Sequence, residues 1–421
     1  MTQKTLKSLN PRTGEVIDTI ELMTTTDIEN AVEAAAQAGK IWREVPVEER
    51  VKRLLGARDF ILSHLDEIAE LISLEQGKPL AEAMSADILP AVQLFNQYGP
   101  KMRQMTATER IPMQVLIGIK SSKIHWKPLG GPVAVITPWN FPFSIPLSGI
   151  VFSLMAGNPV LFKPASEVPL IGKMIARCFN EGADLPEGLF QLILAAGKDV
   201  GSTLFKPPVR KVVFTGSTDT GKWIMRECSK HLIPAVLELG GKDPMIVLED
   251  ADIEVAVKGA LWGAFGNCGQ VCASVERLYV ARPLFETFVA RLKVAAEELR
   301  MGYPGVEEYD VGPLNNDAQR AVVEAHVEEA VARGATVVTG GRRPEGQSGF
   351  FFPPTVLVNV DHSMQVMRDE TFGPLLPVMA FDTEEEALEL ANDSNFGLTA
   401  SVWTRNRSRA EPLTHRLEAG T

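Results

Sequence analysis

The central part of the chain alternates short, uninterrupted apolar runs with segments whose apolar residues recur at helical spacing. The apolar runs lie at 133–137, 160–163, 190–194 and 211–215, and each is followed by a predicted helix. Apolar strands that alternate with helices indicate a parallel sheet covered on both faces. Such sheets bind ligands at the carboxyl ends of their strands. The pattern therefore predicts an α/β fold with functional residues directly after the strands.

Periodic segments continue on both sides of this region. Residues 1–20 contain two short strands around a turn at 10–14, and helical spacing runs from 26 to 103. Further strands are predicted at 235–239, 245–248, 336–339, 356–360, 375–381 and 397–404. Further helices are predicted at 253–266, 285–299, 317–333, 384–392 and 408–417. The C-terminal part is therefore expected to form a second α/β region.

The segment 108–127 has a different pattern. Apolar and polar residues alternate weakly at 115–119, and a second extended segment follows at 121–126. These segments predict a two-stranded ribbon, which is marginally stable alone. Its apolar surface favours an arm that pairs with another subunit.

Composition narrows the class of protein. A chain of 421 residues is too long for one hydrophobic core and favours two or three domains. The net charge of −11, with no cluster of Lys and Arg, argues against a nucleic-acid surface. Residues 140–162 carry no charge, but prolines and glycines interrupt them. They predict a buried helix that begins at prolines, not a membrane span.

The four cysteines have irregular spacing, and the first ten residues lack the apolar core of a signal peptide. Both features favour free thiols in a reducing cytoplasm. Cys272 lies in a run of small and apolar residues, 265–275. It is a candidate nucleophile, although most free cysteines are inert buried side chains. Cys268 lies four residues earlier, but no nearby histidine or second cysteine pair completes a zinc site.

Four polar residues lie near the ends of predicted strands: three at carboxyl ends, and Glu370 shortly before the strand at 375–381. Asn140, in Pro-Trp-Asn-Phe-Pro after the first strand, is either a donor to an oxyanion or a turn asparagine. Lys163 either reaches a ribose or phosphate or is a surface lysine. Glu238, before two glycines, is either a general base or an exposed partner in an ion pair. Glu370 precedes Phe372 in a segment that is either a turn or a contact for a sugar and a flat ring.

Residues 214–222 form a strand, a glycine turn and a helix start, which present backbone N–H groups to an anion. The spacing of Gly216, Gly221 and Lys222 is nearly that of a P-loop. Trp223 stands where a P-loop needs Ser or Thr for magnesium, which argues against a P-loop nucleotide hydrolase. The turn therefore predicts phosphate binding of another kind.

Taken together, these motifs resemble the aldehyde dehydrogenase superfamily, from about residue 6 to the last residue. The matching positions are Asn140, Lys163, Gly216-Ser217, Glu238-Leu239-Gly240-Gly241-Lys242, Gly269-Gln270-Val271-Cys272 and Glu370-Thr371-Phe372-Gly373-Pro374. The resemblance implies a parallel-sheet, Rossmann-like dinucleotide-binding domain at 1–107 and 128–240. It also implies a β-ribbon oligomerisation arm at 108–127 and an α/β catalytic domain at 241–421.

The resemblance also assigns roles. Cys272 corresponds to the nucleophile, Asn140 to the oxyanion donor and Glu238 to the base that activates water. The implied reaction oxidises an aldehyde with NAD or NADP through a thiohemiacetal and then a thioester on the cysteine. The presence of Glu238 favours hydrolysis, because relatives that transfer the acyl group to coenzyme A generally lack it. The implied cofactor-binding residues are Trp139, Lys163, Ser166, Gly216, Ser217, Glu370 and Phe372.

Departures from the family pattern refine these expectations. Ser166 stands where NAD-preferring relatives often carry Glu, which favours acceptance of NADP, although Glu167 follows directly. The helix after Asn140 has no Arg, so an uncharged aliphatic or aromatic aldehyde is favoured over succinic semialdehyde. Relatives continue beyond the position of Thr421 into two strands and a substrate-facing loop. We therefore expect a truncated, poorly active enzyme, or a remnant that binds nucleotide or partner subunits.

Overall fold

The computed structural model describes residues 4–112 and 121–421, which form two compact units. The first unit comprises the described residues of Met1–Ser8, Val16–Glu75 and Leu80–Glu238. The second comprises Leu9–Glu15, Gln76–Pro79 and Leu239–Thr421. The predicted functions of the segments remain predictions.

The first part of the chain contains nine strands and nine α-helices within the described residues. The strands are β1 (Thr5–Leu9), β2 (Val16–Glu21), β3 (Glu109–Pro112), β4 (Ser121–Ile124), β5 (Val133–Ile136), β6 (Val160–Lys163), β7 (Phe190–Leu192), β8 (Lys211–Thr215) and β9 (Ala235–Glu238). The helices are α1 (Thr25–Trp42), α2 (Val47–Ser63), α3 (Leu65–Gln76), α4 (Leu80–Glu82), α5 (Leu89–Met105), α6 (Ser144–Met155), α7 (Pro169–Arg177), α8 (Gly197–Leu204) and α9 (Thr218–Ser229). Two π-helical turns lie at Ala83–Ile88 and Cys178–Gly182.

The main sheet of the first unit is wholly parallel, as the apolar runs predict. Its strand order is β7-β6-β5-β8-β9. Every residue of β5 and β6 is buried, which explains their uninterrupted apolar sequences. The chain moves outward from β5 to β7 and then returns to the other side of β5 with β8. The order therefore reverses between β5 and β8, the place where open α/β sheets bind ligands.

Two other sequence predictions concern the same unit. The uncharged segment forms the buried helix α6, and no helix among the described residues is long and apolar enough to cross a membrane. β3 pairs antiparallel with β4, as expected for a ribbon. The predicted extended segment at 115–119 lies outside the described residues.

The second unit contains a six-stranded mixed sheet. Its strands are β10 (Asp243–Val247), β11 (Val275–Ala281), β12 (Thr336–Thr339), β13 (Thr355–Val358), β14 (Leu375–Phe381) and β15 (Ser401–Trp403). Its helices are α10 (Ile253–Phe265), α11 (Arg282–Glu297), α12 (Asp317–Ala332), α13 (Gln365–Arg368), α14 (Glu384–Asn392) and α15 (Arg407–Thr414). The order is β12-β13-β14-β11-β10-β15, and only β12 and β13 are antiparallel.

Strand β11 is absent from the sequence-based prediction, although it lies inside this sheet between β14 and β10. The reason is chemical: Glu276 and Arg277 interrupt the apolar run of this strand, yet both are buried and hydrogen-bonded. The strand predicted at 397–404 is also wrong in extent, since only Ser401–Trp403 pair with β10. The helix predicted at 285–299 begins earlier, at Arg282, where Pro283 suits the first turn.

Candidate active site

In the first unit, four predicted site segments follow neighbouring strands. Ile136 pairs with Lys163 and with Phe214, and Thr215 pairs with Glu238. Because these strands are parallel, their carboxyl ends lie along one edge of the sheet. The fold therefore places the Asn140 segment, Lys163, the Gly216-Ser217 turn and Glu238 on the same edge.

Asn140 lies between β5 and α6 and is 2% exposed. The start of α6 is held by Asp87, whose carboxylate accepts hydrogen bonds from the N–H groups of Phe143 (3.1 Å) and Ser144 (3.0 Å). Asp87 is fully buried in a π-helical turn, and sequence analysis did not identify it. Its only sequence signal is a charge within an otherwise apolar helical face. Trp139, beside Asn140, is half-buried.

Lys163 is the last residue of β6 and is buried. Its Nζ donates a hydrogen bond to the Pro164 carbonyl at 3.1 Å. Burial lowers the pKa of Lys163, and the charge of Glu167 partly opposes that change. Ser166 is half-buried in the loop that follows. A buried amine at a strand end, with a small hydroxyl nearby, is suited to hydroxyl or phosphate ligands.

The Gly216-Ser217 turn joins β8 to α9. Ser217 is the N-cap of α9, and its Oγ accepts a hydrogen bond from the Thr220 N–H at 3.4 Å. The Gly216 N–H donates to the Glu238 carbonyl at 3.0 Å, which ties the turn to the end of β9. A Cβ at Gly216 would lie 2.6 Å from the Phe214 ring, so a larger residue would force that ring to move. The turn leaves the helix start open to an anion.

Glu238 ends β9, and its side chain is exposed. Thr137, at the end of β5, has a buried Oγ1 with no hydrogen-bond partner within the described part of the chain. Both groups lie on the carboxyl edge of the sheet. An unpaired buried hydroxyl is costly, and its position here is suited to a polar ligand.

In the second unit, the segment before Cys272 is a tight turn at Gly266–Gly269. Asn267 and Cys268 have positive φ angles of 49° and 57°. Asn267 Nδ2 donates to the Gln270 carbonyl (3.2 Å), and Gln270 Nε2 donates to the Asn267 carbonyl (2.9 Å). Gln270 Oε1 also accepts from the Asn315 N–H at 2.8 Å. These buried amides fix the turn, and their signal in the sequence is polar residues within an apolar run.

Cys272 is half-buried, whereas Cys178, Cys228 and Cys268 are buried, and all four are free. Burial raises the pKa of the Cys272 thiol, with further contributions from the negative charges of Glu370 and Asp243. Within the described residues, no group of three or more His, Cys, Asp or Glu side chains is arranged to hold a metal ion. Cys272 is therefore the thiol with access to a ligand.

Glu370 packs against the glycine pair that precedes β10. Its Oε1 accepts a hydrogen bond from the Gly241 N–H at 3.1 Å, and a Cβ at Gly240 would clash with its carboxylate. A Cβ at Gly241 would clash with the Cys272 carbonyl. Burial, followed by the charge of Glu276, raises the pKa of Glu370 to about 7. The structure therefore brings Glu370 and Cys272 to the same pair of glycines.

Known proteins are similar to this chain over nearly its whole length. The profile of the aldehyde dehydrogenase family matches residues 1–421. Glutarate-semialdehyde dehydrogenase of Pseudomonas aeruginosa is 38% identical over 421 residues, which cover 99% of this chain and 85% of that protein. The 4,4'-diapolycopene aldehyde oxidase of Methylomonas sp is 39% identical over 419 residues, which cover 99% and 77%.

Solved structures agree with the sequence comparison. An NADP-dependent enzyme of E. coli superposes with a TM-score of 0.94 at 35% identity, covering 99% of this chain and 85% of that one. Betaine aldehyde dehydrogenase from Staphylococcus aureus in complex with NAD+ also gives 0.94, at 34% identity and 99% and 83% coverage. The match over 1–421 favours a catalyst over the alternative hypothesis of an impaired remnant.

Proposed function

Since this chain belongs to the aldehyde dehydrogenase family, whose members oxidise aldehydes to acids with NAD or NADP, we propose that Cys272 is its nucleophile. The observation that carries the proposal is that Cys272 alone among the four free cysteines is not buried. A thiol is suited to this chemistry because it attacks a carbonyl near neutral pH and forms a thioester that water can cleave. The reaction converts an aldehyde, water and NAD(P)+ into a carboxylic acid, NAD(P)H and a proton.

The proposed roles of this chain's residues follow the order of bond changes. The Cys272 thiolate adds to the aldehyde carbon and forms a thiohemiacetal. The Asn140 amide and the Cys272 N–H stabilise its oxyanion. The thiohemiacetal carbon loses a hydride and becomes a thioester. Glu238 removes a proton from the water that attacks this thioester, and the acid and the free thiol are released.

The residues of the first unit fit a pyridine dinucleotide, which accepts the hydride when bound. The carboxyl edge of the sheet offers the buried amine of Lys163, the open start of α9 at Ser217 and the unpaired hydroxyl of Thr137. We propose that Lys163 and Ser166 bind the adenosine ribose and that Gly216 and Ser217 bind the pyrophosphate. Trp139, Glu370 and Phe372 are proposed to contact the nicotinamide half.

Purified protein, mixed with an aldehyde panel and each cofactor, tests the proposed reaction. We expect repeated turnovers, measured as reduced nicotinamide and as an equal amount of carboxylic acid. Absence of both products with every aldehyde would overturn the proposal. The panel includes succinic semialdehyde beside aliphatic and aromatic aldehydes. We propose that uncharged aldehydes are preferred, because α6 carries no charged residue.

Ser166 is proposed to permit NADP binding, because a hydroxyl neither fills the space for a 2′-phosphate nor repels it. Ser166→Glu is expected to weaken NADP binding by at least about tenfold, since like charges placed together are costly, and to preserve NAD binding. Fluorescence quenching titrations with both cofactors measure this selectivity. Ser166→Gln has the size of the glutamate without its charge and is the control. Equal NADP affinity in the wild type and Ser166→Glu would contradict the proposal.

Asp243 is expected to contribute to the pH dependence of Cys272, after burial and the charge of Glu370. It accepts hydrogen bonds from the N–H (3.1 Å) and Oγ1 (2.6 Å) of Thr399, and burial raises its pKa to about 6. Above that pH its negative charge raises the pKa of Cys272. Asp243→Asn removes the charge, so the pKa of Cys272 falls and the thiolate forms at lower pH. The rate of Cys272 alkylation by iodoacetamide should therefore rise at lower pH than in the wild type.

Asp250→Asn is the matched control for the shift in the pH profile of Cys272 alkylation. Asp250 also binds a threonine hydroxyl, that of Thr404, but is not among the charges that raise the pKa of Cys272. Its substitution should leave the alkylation profile in place. If Asp243→Asn left the pH profile of alkylation unchanged, or moved it to higher pH, the expected repulsion between Asp243 and the Cys272 thiolate would be contradicted.

We also propose that the enzyme is a cytoplasmic homo-oligomer. The four free thiols support a reducing compartment, and the β3–β4 ribbon supports pairing with another subunit. Light scattering across a concentration series tests the oligomer, and a monomer at every concentration would contradict it.

A further inference from the structure

A buried carboxylate, Glu276, lies beside the loop that carries Glu370. Glu276 belongs to β11 and is 2% exposed. Its Oε2 accepts a hydrogen bond from the Thr371 N–H, and its Oε1 accepts one from the Phe372 N–H, both at 2.8 Å. The two oxygens of one side chain thus hold two consecutive backbone donors. Such charge-assisted bonds are stronger than neutral ones.

Lys242 completes this arrangement. Its Nζ donates to Glu276 Oε2 at 2.6 Å and to Thr371 Oγ1 at 3.3 Å, and its side chain is fully buried. A buried ion pair persists only when further hydrogen bonds satisfy both groups, as Thr371 does here. Lys242 follows Gly241, whose N–H binds the Glu370 carboxylate. The pair therefore joins the segment 240–242 to the segment 370–372.

Phe372 shows why this loop needs support. Its φ angle is +52°, a left-handed conformation that is unfavourable for a bulky side chain. Residues in such conformations persist when surrounding groups determine them. Glu276 binds the N–H of this residue, and Gln319 Nε2 binds the carbonyl of the preceding Thr371 at 2.7 Å. The peptide group that precedes the strained residue is thus fixed at both its carbonyl and its N–H, by one half-buried and one buried side chain.

We propose that Glu276, paired with Lys242, is a positioning residue that holds Glu370 and Phe372 in the conformation that binds the nicotinamide half of the cofactor. The inference rests on the proposed function, in which Glu370 binds that part of the cofactor. Glu276 itself does not touch the cofactor. It acts through the loop, because its oxygens fix the backbone of the two residues that follow Glu370.

The test compares Glu276→Gln, Glu370→Gln and the double variant. A glutamine offers one acceptor oxygen, and its amide group faces either a backbone N–H or the Lys242 ammonium. A hydrogen bond to a charged group contributes more free energy than a neutral one. Its loss in Glu276→Gln should therefore weaken NADH binding by about tenfold. If Glu276 acts partly through Glu370, the loss of affinity in the double variant should be smaller than the two single losses combined. NADH fluorescence titrations give the dissociation constants.

Tyr279→Phe is the matched control, because Tyr279 is buried on the same strand. Its hydroxyl contacts the Leu390 carbonyl, Arg277 Nη1 and His362 Nε2, and none of these groups belongs to the segment 370–372. This variant loses buried hydrogen bonds outside the loop and should bind NADH like the wild type. Thr371→Val is a second variant, which tests the positioning role if Glu276→Gln does not fold. It removes only the hydroxyl bonded to Lys242 and His326, and about threefold weaker binding is expected.

The outcomes separate the inference from the proposed function. Weaker binding in Glu370→Gln, with unchanged binding in Glu276→Gln and Thr371→Val, would overturn the positioning role alone. Unchanged binding in Glu370→Gln would overturn the role of Glu370 on which the inference rests. Additive losses in the double variant would show that Glu276 does not act through Glu370 and would also overturn the inference.

Discussion

Cys272→Ala is expected to abolish aldehyde oxidation, with a loss on the order of 10⁴-fold to 10⁶-fold in turnover. The reason is that no covalent intermediate can form without the thiol, and an aldehyde that is not bound covalently is a poor hydride donor in this site. Turnover is measured as reduced nicotinamide per chain. Intact-mass analysis after mixing with aldehyde and cofactor should show an acyl adduct on the wild type and none on the variant.

Cys268→Ala is the control for this substitution. Cys268 lies four residues earlier and is buried. Its φ angle is positive, and alanine is no more strained than cysteine in that conformation. It should keep most of the activity and still form the adduct. Repeated turnover by Cys272→Ala, or an adduct on another cysteine, would contradict the assignment of the nucleophile.

The positions of Lys163 and Glu238 were predictable because each ends an apolar strand. β6 ends at Lys163 and β9 at Glu238, as the apolar runs indicate. Parallel strands have their carboxyl ends at one edge of the sheet. The residues that follow neighbouring strands therefore lie close together. This part of the site depends on local patterns, which a single sequence contains.

The support for the Glu370 loop was not predictable in the same way. Glu276 is separated by 34 residues from Lys242 and by 95 from Thr371. In sequence it is a charge in an apolar run, which argues against a buried strand. Only the fold shows that three donors surround it. The prediction of β11 failed for the same reason, since the burial of Glu276 depends on partners far along the chain.

The turn before Cys272 is an intermediate case. The run of small residues singled out the cysteine, and asparagine tolerates positive φ better than most residues. The cross-bonded amides of Asn267 and Gln270, however, follow from the three-dimensional path of the turn. Residue type therefore singled out Cys272 as the candidate nucleophile, but it did not predict the groups that fix the backbone before it.

Glu238→Gln is expected to separate the two halves of the reaction. The variant keeps Cys272 and should form the thioester with a burst of about one reduced nicotinamide per chain. Steady turnover should then fall by about 10²-fold to 10⁴-fold, because no carboxylate takes the proton from the attacking water. The exposed position of Glu238 at the end of β9 gives water access to its side chain. Rapid-mixing absorbance measures the burst, and intact mass detects the trapped acyl group.

Glu187→Gln is the control, because Glu187 is an exposed glutamate of the same unit that does not follow a strand of the sheet. It should retain both the burst and the steady rate. Coenzyme A should not accelerate the wild type, since water takes the acyl group when Glu238 is present. Full steady turnover in Glu238→Gln would assign the base to another residue. Loss of the burst as well would place Glu238 in the first half of the reaction, where the carboxylate is needed before the thioester forms.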